Sequence, residues 1–252
     1  MRELLEAVAD GSLSPATAEA ELMGYVTGDA GRLDAARQQR RGIPEAILAE
    51  GKSPEQVVAL AETALETTDR ALVTRISDRQ FDALETSLDE TAPDATLERR
   101  GSTVRVLSAD YEQPSLAATV GIVTAGTVDG PVAAEAEVVC ADAGATIDRV
   151  DDVGVAALDR TLDQVDRLRD ADVLIVAAGR EGALPTVIAG LVNTPVIGVP
   201  VSSGYGHGGG GEAALAGMLQ SCTVLSVVNI DAGFVAGAQA VLIARAIDAG
   251  RN

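Results

Sequence analysis

The fold is decided by residues 177–222, which read AAGREGALPTVIAGLVNTPVIGVPVSSGYGHGGGGEAALAGMLQSC. A continuous apolar run, 173–178, leads into the turn 179–182, and an apolar helix follows that turn. A second apolar run, 195–201, leads into the glycine loop 204–211, and a second helix follows. Two neighbouring strand–loop–helix units predict a parallel sheet covered by helices, and open sheets of this kind bind ligands at the carboxyl ends of their strands.

The same alternation continues through the rest of the C-terminal half. We predict strands at 120–124, 146–150, 173–178, 196–201 and 224–230, each followed by a helix, the last of them running over 233–248. Since five strand–helix units in a row are typical of a parallel α/β sheet, we predict a three-layer α/β domain over residues 118–252. Residues 110–117 are interpreted as a linker.

The N-terminal region, residues 1–110, has shorter elements and no complete phosphate loop, and it is predicted as a small α+β region. Ser14, Ser53 and Ser77 are expected to cap helices. We predict helices over 2–9, 14–22, 54–66 and 77–88, strands over 47–49, 71–76 and 103–107, and a loop over 89–100.

An arginine cluster lies in this region, at Arg32, Arg37, Arg40 and Arg41. It is either the solvated face of a helix or a positive surface for a substrate phosphate or a neighbouring subunit.

Composition excludes several classes of function. The net charge is −19 and the pI is about 4.3, which argues against unspecific binding to nucleic acid or to an anionic membrane. Because the acidic residues are scattered, we interpret them as a surface adapted to high salt. Aromatic residues make up 2% of the chain and hydrophobic residues 47%, so the core must consist of Val, Ile, Leu and Ala.

The expected location is the cytoplasm. The two cysteines, Cys140 and Cys222, are far apart and do not suggest a disulfide scaffold. The first residues carry charges where a signal peptide needs an apolar core. No uncharged apolar run reaches the length of a membrane span, so no contact with a membrane is expected.

Polar residues follow the predicted strands of the C-terminal half. Thr127 offers a hydroxyl and helix-start amides to a phosphate, and Asp129 offers a carboxylate to ribose hydroxyls. Both residues are equally suited to capping the helix that follows them. There is no Walker A loop and no GxGxxG after the first strand, so neither ATP hydrolysis nor a Rossmann dinucleotide site is indicated.

Together these motifs resemble the LarB family. The resemblance is carried by GIVTAGT (121–127), DVGVAAL (152–158), EGALPTVIAGLV (181–192), SSGYG (202–206) and VVNIDAGFVAG (227–237). The N-terminal segments LDAARQQRRGIPEAI (33–47) and EGKSPEQV (50–57) match the family in kind, so the resemblance covers nearly the whole chain. This family makes the nickel-pincer nucleotide cofactor of lactate racemase-type enzymes. Its C-terminal half is similar to aminoimidazole ribonucleotide carboxylase/mutase.

The resemblance implies a carboxylase and hydrolase acting on nicotinic acid adenine dinucleotide. Such an enzyme adds CO2, supplied by bicarbonate, to C5 of the pyridinium ring. It then cleaves the pyrophosphate, releasing AMP and pyridinium-3,5-biscarboxylic acid mononucleotide. No ATP, biotin or redox cofactor is implied, whereas a Mg2+ ion on the pyrophosphate is left open. A homo-oligomer is also implied, since the related carboxylases are octamers.

The resemblance makes Cys222 and Glu181 the catalytic residues. A thiolate that adds to C4 of a pyridinium ring makes C5 nucleophilic enough to attack CO2, and Glu181 is assigned to proton handling at C5 or to orienting the ring. On its own, a cysteine at the end of an apolar helix is more often part of a core, and Cys140 is interpreted in that way. A catalytic Cys222 sulfur is expected to face the crevice within reach of Glu181.

The expected substrate-binding residues all come from the predicted loops. They are Gly126, Thr127, Asp129, Asp152, Arg160, Gly182, Ala183, Leu184, Pro185, Ser203, Gly204, Tyr205, Gly206, His207, Asn229 and Asp231. His207, the only histidine, is either a ligand contact or a surface residue. Asn229 and Asp231 either bind ribose or cap the last helix.

Three residues depart from the family pattern. Asp159 stands where the family commonly has His, and Val128 and Gly130 replace the usual Ser and Ile. Two alternatives remain open. One is a purine-type carboxyaminoimidazole ribonucleotide mutase, which is disfavoured because it uses a histidine where Asp159 stands and needs no cysteine. The other is a non-catalytic nucleotide-binding regulator.

Overall fold

The computed structural model describes residues 2–15, 18, 22, 24–28 and 30–251. The chain divides into two compact units, residues 1–112 and residues 113–252. The predicted helix over 14–22 falls largely on residues outside the described set.

The first unit is built on a four-stranded mixed sheet. Its elements are α1 (Arg2–Ala9), β1 (Val26–Gly28), β2 (Gly31–Leu33), α2 (Arg37–Arg41), β3 (Ile47–Leu48), α3 (Pro54–Thr68), β4 (Arg70–Thr74), α4 (Asp78–Thr91), β5 (Thr96–Arg100) and β6 (Thr103–Leu107). The sheet has the order β3-β4-β6-β5, and β1 pairs with β2 as a separate hairpin. The core between α3, α4 and the sheet is aliphatic, with Val57, Leu84 and Val104 fully buried.

Serine caps set the starts of the two long helices, as predicted. The Gln56 N–H donates to Ser53 Oγ at 3.3 Å, and the Ser53 N–H donates to Gln56 Oε1 at 2.9 Å. Ser77 and Gln80 form the same reciprocal pair at the start of α4. Each pair satisfies two backbone donors that a helix start leaves open, which stabilises the helix by about 1 kcal/mol.

The prediction of a loop over 89–100 was wrong. Helix α4 continues to Thr91, and Thr96–Arg100 forms the edge strand β5. Four of its five residues are exposed, so the strand has no apolar alternation for the sequence to reveal. It is held by its ladder with β6 and by the ion pair between Glu98 and Arg105 at 2.8 Å.

Local carboxylates pair with two members of the arginine cluster. Arg37 lies 3.3 Å from Glu45, and Arg40 lies 2.5 Å from Asp34. No residue of α2 is buried. These contacts favour the interpretation of this helix as a solvated face.

The second unit is a five-stranded, all-parallel sheet of order β11-β10-β9-β7-β8 with helices on both faces. Its elements are β7 (Thr119–Thr124), α5 (Gly130–Asp142), β8 (Thr146–Val150), α6 (Leu158–Leu162), α7 (Val165–Arg169), β9 (Val173–Ala178), α8 (Ala183–Ala189), β10 (Val196–Pro200), α9 (Glu212–Leu219), β11 (Ser226–Val227) and α10 (Gly233–Arg251). Single 3-10 turns, Thr127–Asp129 and Val155–Ala157, precede α5 and α6. The predicted parallel α/β sheet is confirmed.

Two predicted elements differ in detail. The single helix expected after the strand 146–150 is divided into the short helices α6 and α7. The strand expected over 224–230 is reduced to Ser226–Val227, and Val224 is 92% exposed. An apolar side chain that faces solvent gives the same sequence signal as one that is buried, so the strand was predicted too long.

The last helix, α10, packs on α5 through small residues. Ala236, Ala240 and Ala244 are fully buried, and the Cys140 thiol of α5 donates to the Gly237 carbonyl at 3.6 Å. Cys140 is fully buried, which confirms its interpretation as a core residue, and this burial raises the pKa of its thiol to about 12. By length and composition alone α10 is apolar enough to cross a membrane. This is weak evidence, since the core helix of a globular unit passes the same test.

Candidate functional site

A crevice of about 350 Å³ opens at the carboxyl edge of the parallel sheet. It is formed by the loops that follow β7, β8, β9 and β10, together with the starts of α6 and α8. Its volume falls in the range of small-molecule sites, which is about 300–1,000 Å³. The lining residues are Ala125, Gly126, Val128, Asp129, Gly154, Val155, Ala156, Arg160, Ala178, Gly179, Arg180, Glu181, Ala183, Leu184, Ser203, Gly204 and Tyr205.

Asp129 is a buried carboxylate in the wall of this crevice, only 2% exposed. Its Oδ2 accepts a hydrogen bond from the Gly126 N–H at 2.8 Å, but no group among the described residues hydrogen-bonds to Oδ1. Burial raises the pKa of the Asp129 carboxyl, whereas the Gly126 amide opposes this shift, and so does the nearby Ser203 hydroxyl, which does not itself form a hydrogen bond to Oδ1. A buried acceptor without a donor costs about 1–3 kcal/mol. The carboxylate is therefore suited to a ligand that brings hydroxyl or N–H donors.

Two arginines supply positive charge to the crevice. Arg160 Nη1 donates to Asp152 Oδ2 at 3.0 Å and keeps 44% of its side chain exposed. The Arg180 guanidinium lies 4.2 Å from the centre of the Tyr205 ring, and its Nη1 donates to the Tyr205 carbonyl at 3.2 Å. Tyr205 thus already holds one cation against its ring face. The pair of arginines can receive a phosphate, and the ring can receive a flat cationic group.

The loops after β9 and β10 are packed backbone against backbone. A Cβ on Gly204 would lie 2.5 Å from the Arg180 nitrogen, so only glycine permits this approach. Arg180 itself has a φ of 51°, a left-handed conformation that is uncommon for residues other than glycine. Strained backbone of this kind is concentrated at functional sites.

Helix α9 lies equally close to the turn that carries Glu181. A Cβ on Gly217 would lie 2.2 Å from the Glu181 carbonyl oxygen. Gly217→Ala should therefore lower the free energy of unfolding by about 1–3 kcal/mol, the usual cost of overpacking. Chemical denaturation followed by circular dichroism measures this change.

Gly250 is the matched control for this substitution. It also lies in a helix, but a Cβ there would meet nothing within 4 Å. Gly250→Ala should raise the free energy of unfolding by about 0.5 kcal/mol, because alanine loses less entropy than glycine on folding. If the two substitutions changed stability in the same direction, the close contact at Gly217 would be contradicted.

The structure brings half of the expected site residues to the crevice. Those that line it are Gly126, Asp129, Arg160, Glu181, Ala183, Leu184, Ser203, Gly204 and Tyr205. The others are not among the described lining residues: Thr127, Asp152, Gly182, Pro185, Gly206, His207, Asn229, Asp231 and Cys222. Asp152 nevertheless contributes to the site indirectly, because it accepts a hydrogen bond from Arg160, which lines the crevice.

Several of these other residues shape loops instead. Asp231 Oδ1 accepts from the Ser202 N–H at 2.9 Å, which fixes the start of the glycine loop. Asn229 Oδ1 accepts from the Ile230 N–H at 2.8 Å. Thr127 and His207 are exposed.

Arg180 is the charged residue of the crevice lining that the sequence analysis did not assign to the site. The turn 179–182 was singled out for its glycines and for Glu181, whereas the arginine between them was not assigned a role. An arginine in a loop has no distinguishing pattern, and its contact with Tyr205 bridges two separate loops.

Cys222 lies in the connection 220–225 between α9 and β11, and it is exposed. Because β10 and β11 are parallel, this connection enters β11 at the amino edge of the sheet, opposite the crevice. A Cβ on Gly190, just beyond α8, would lie 3.9 Å from Thr223 Cγ2. Glu181 lies at the other end of α8, a helix of seven residues that rises about 10 Å. One chain does not bring this sulfur to Glu181.

Comparison with known proteins places this fold and site in a class. Residues 119–251, which include the whole parallel sheet and the crevice, match the family model for AIR carboxylase. The second unit is thus of the carboxylase/mutase kind, whose substrates are nucleotides. Residues 25–106 match the LarB/PurE-like N-terminal domain. The chain therefore belongs to the LarB family, with an AIR carboxylase-like C-terminal domain.

A relative supports the same assignment. An uncharacterized protein of Methanocaldococcus jannaschii is 38% identical over 223 residues, which cover 85% of this chain and 84% of the relative. The similarity spans both units, so the two domains occur together in that protein as well.

Proposed function

We propose that this protein carboxylates C5 of the pyridinium ring of nicotinic acid adenine dinucleotide and hydrolyses the pyrophosphate. The products are pyridinium-3,5-biscarboxylic acid mononucleotide and AMP, and the carboxylation requires no separate cofactor. The observation that carries the proposal is the combination, in one chain, of a LarB-type N-terminal domain with an AIR carboxylase-like domain.

The residues of the crevice fit the mononucleotide half of this substrate. The buried Asp129 carboxylate accepts hydrogen bonds from the ribose hydroxyls, which supply the donors that Oδ1 lacks. Arg160 and the amides of the glycine loop receive the phosphate. The Tyr205 ring, which already stacks with a guanidinium, accepts the cationic pyridinium ring.

Three groups carry out the proposed chemistry: a thiolate, a base and a water molecule. The Cys222 thiolate adds to C4 of the ring, and the electron pair moves to C5, which attacks CO2 and forms the new carbon–carbon bond. Glu181 takes the proton from C5. The ring nitrogen then expels the thiolate, which restores the aromatic pyridinium. Water cleaves the pyrophosphate and releases AMP.

The crevice also bears on the purine-type alternative. The lining residues that the structure describes include no histidine, and the only histidine of the sequence, His207, is exposed in the glycine loop. A mutase that protonates its substrate through a histidine would lack that group here. The stacked cation on Tyr205 favours a charged ring over the neutral imidazole of a purine precursor.

The test is to incubate the protein with nicotinic acid adenine dinucleotide and carbon-13 bicarbonate. Mass spectrometry should detect a mononucleotide that carries one added labelled carboxylate, together with an equal amount of AMP. Carboxyaminoimidazole ribonucleotide, given in a parallel reaction, should not be converted. Conversion of that compound alone would support the purine-type enzyme. Binding of either nucleotide without turnover would support a regulator.

A further inference from the structure

The loop after β8, residues 151–154, is fixed by a hydroxyl of the neighbouring strand β7. Thr124, the last residue of β7, is buried and is not among the described residues that line the crevice. Its hydroxyl donates to Asp151 Oδ1 at 2.9 Å and accepts from the Asp152 N–H at 3.2 Å. One buried hydroxyl therefore fixes both the side chain of Asp151 and the backbone of Asp152.

Arg149, on β8, makes a second contact to the same carboxylate. Its Nε lies 3.1 and 2.9 Å from the two oxygens of Asp151, and its Nη1 pairs with Glu137 on α5. The side chains of Arg149 and Glu137 are 27% and 13% exposed, so solvent screens this pair less than it screens an exposed one. Strand β8 and helix α5 together anchor the loop.

Asp152 passes this support on to the crevice. Its φ is 58°, a left-handed conformation that few residues other than glycine adopt without local hydrogen bonds. Asp152 Oδ2 accepts from Arg160 Nη1 at 3.0 Å. Among the described residues no other nitrogen of Arg160 is hydrogen-bonded, and since a guanidinium carries five N–H donors, the remaining donors are available to a phosphate.

Two further contacts restrict the same loop. The Thr161 hydroxyl, next to Arg160 on α6, donates to the Val153 carbonyl at 2.7 Å. A Cβ on Gly154 would lie 2.6 Å from the Ala125 carbonyl oxygen, so the loop packs directly against the backbone that follows β7. A shift at Asp152 is therefore transmitted to Arg160 instead of being absorbed within the loop.

From this chain of contacts we propose that Thr124 and Arg149 are positioning residues, which act through Asp151 and Asp152 to direct the Arg160 guanidinium toward the substrate phosphate. The identity of that substrate rests on the proposed function. Neither residue lines the crevice, and the phosphate takes no part in forming the carbon–carbon bond. Losing their support weakens ground-state and transition-state binding alike, which raises KM and leaves kcat largely unchanged.

Two substitutions at Thr124 test the role of its hydroxyl. Thr124→Val removes the hydroxyl and keeps the branched shape, and it should raise KM for carboxylation of nicotinic acid adenine dinucleotide about tenfold, the lower end of what a hydrogen bond to a charged group contributes. Thr124→Ser keeps the hydroxyl and should restore the wild-type KM. A fall in kcat at unchanged KM, or a serine variant as impaired as the valine variant, would overturn the proposal.

Ribose 5-phosphate tests the positioning without the reaction, because pyridinium and purine nucleotides both contain it. In calorimetry, Thr124→Val and Arg160→Gln should each weaken its binding about tenfold. The double variant should bind no more weakly than Arg160→Gln alone, because Thr124 acts only through Arg160. Losses that multiply in the double variant, undiminished binding by Thr124→Val, or no binding by the wild type would contradict the positioning role. If this coupling were found but no product formed from the dinucleotide, the proposed function would fail and the positioning would stand.

Asp151→Asn provides a second variant in case Thr124→Val does not fold. The asparagine oxygen can still accept from the Thr124 hydroxyl, but the ion pair with Arg149 is lost, so binding of ribose 5-phosphate should weaken in this variant too. The control is Arg167→Gln, because Arg167 on α7 pairs with Asp148, which also lies on β8 but outside the loop. Its affinity should equal that of the wild type. Unchanged binding by Asp151→Asn, or an equal loss in Arg167→Gln, would refute the role of Arg149.

Discussion

Cys222→Ala should abolish carboxylation, with a loss of about a thousandfold or more in turnover, because removing a nucleophile leaves only binding and orientation. The same change should alter the free energy of unfolding by less than about 0.5 kcal/mol, since the side chain is exposed. Labelled carboxylate incorporated per minute and the denaturation midpoint measure the two effects.

Cys222→Ser is the matched control for the chemistry of the sulfur. The hydroxyl has nearly the same size, but it does not ionise near neutral pH, so this variant should be as inactive as the alanine variant. Retention of even a tenth of the wild-type rate in either variant would contradict the nucleophile. Alkylation of the wild-type thiol should inactivate the enzyme, and bound substrate should slow the alkylation.

Asp129→Asn should weaken binding of nicotinic acid adenine dinucleotide by about 10- to 100-fold, because a hydrogen bond to a charged group contributes about 1.5–3 kcal/mol. The asparagine oxygen can still accept from the Gly126 N–H, so the local turn is kept. What is lost is the second acceptor, which lacks a donor among the described residues. Isothermal titration calorimetry measures the affinity.

The pH dependence follows from the direction of the pKa shift. Burial raises the pKa of the Asp129 carboxyl above 3.8, so its ionisation favours the unfolded chain. Its contribution to stability is fully present below pH 3.8 and is lost as the pH rises through the folded-state pKa. The affinity for the ligand has the opposite pH dependence, because only the ionised carboxylate can accept hydrogen bonds from both ribose hydroxyls. Wild-type affinity should fall as the pH drops through the folded-state pKa, and the affinity of Asp129→Asn should not.

Asp163→Asn serves as the control for Asp129. Asp163 is exposed at the end of α6 and is not among the described residues that line the crevice. Its substitution should leave both the affinity and its pH profile unchanged. If Asp129→Asn bound the dinucleotide as tightly as the wild type, the ribose contact would be excluded.

Much of the fold could be predicted because local and global signals agree. The uninterrupted apolar runs of β9 and β10 are typical of strands buried on both faces, and both strands are fully buried. Ser53 and Ser77 stand before helical patterns, and both form reciprocal caps. In these strands and caps the structure favoured by the local sequence is also the structure that the packed fold requires.

The parts that could not be predicted depend on neighbours distant in sequence. Edge strand β5 is exposed and charged, so only its pairing with β6 reveals it. Arg180 acquires its place through Tyr205, which lies on another loop. Cys222 follows the glycine loop closely along the chain, but α9 carries it back across the sheet. The sequence shows that two residues are close along the chain, but it does not show whether they lie at the same edge of the sheet.

The stack of Arg180 on Tyr205 gives the protein a built-in optical reporter. The sequence contains no tryptophan and three tyrosines, and one of the three forms part of the crevice wall. A molecule that displaces the guanidinium from this ring changes the polarity around the Tyr205 chromophore. Its emission is overlapped only by that of the two other tyrosines, since the sequence contains no tryptophan. Tyrosine emission can therefore follow occupancy of the crevice in the unlabelled protein.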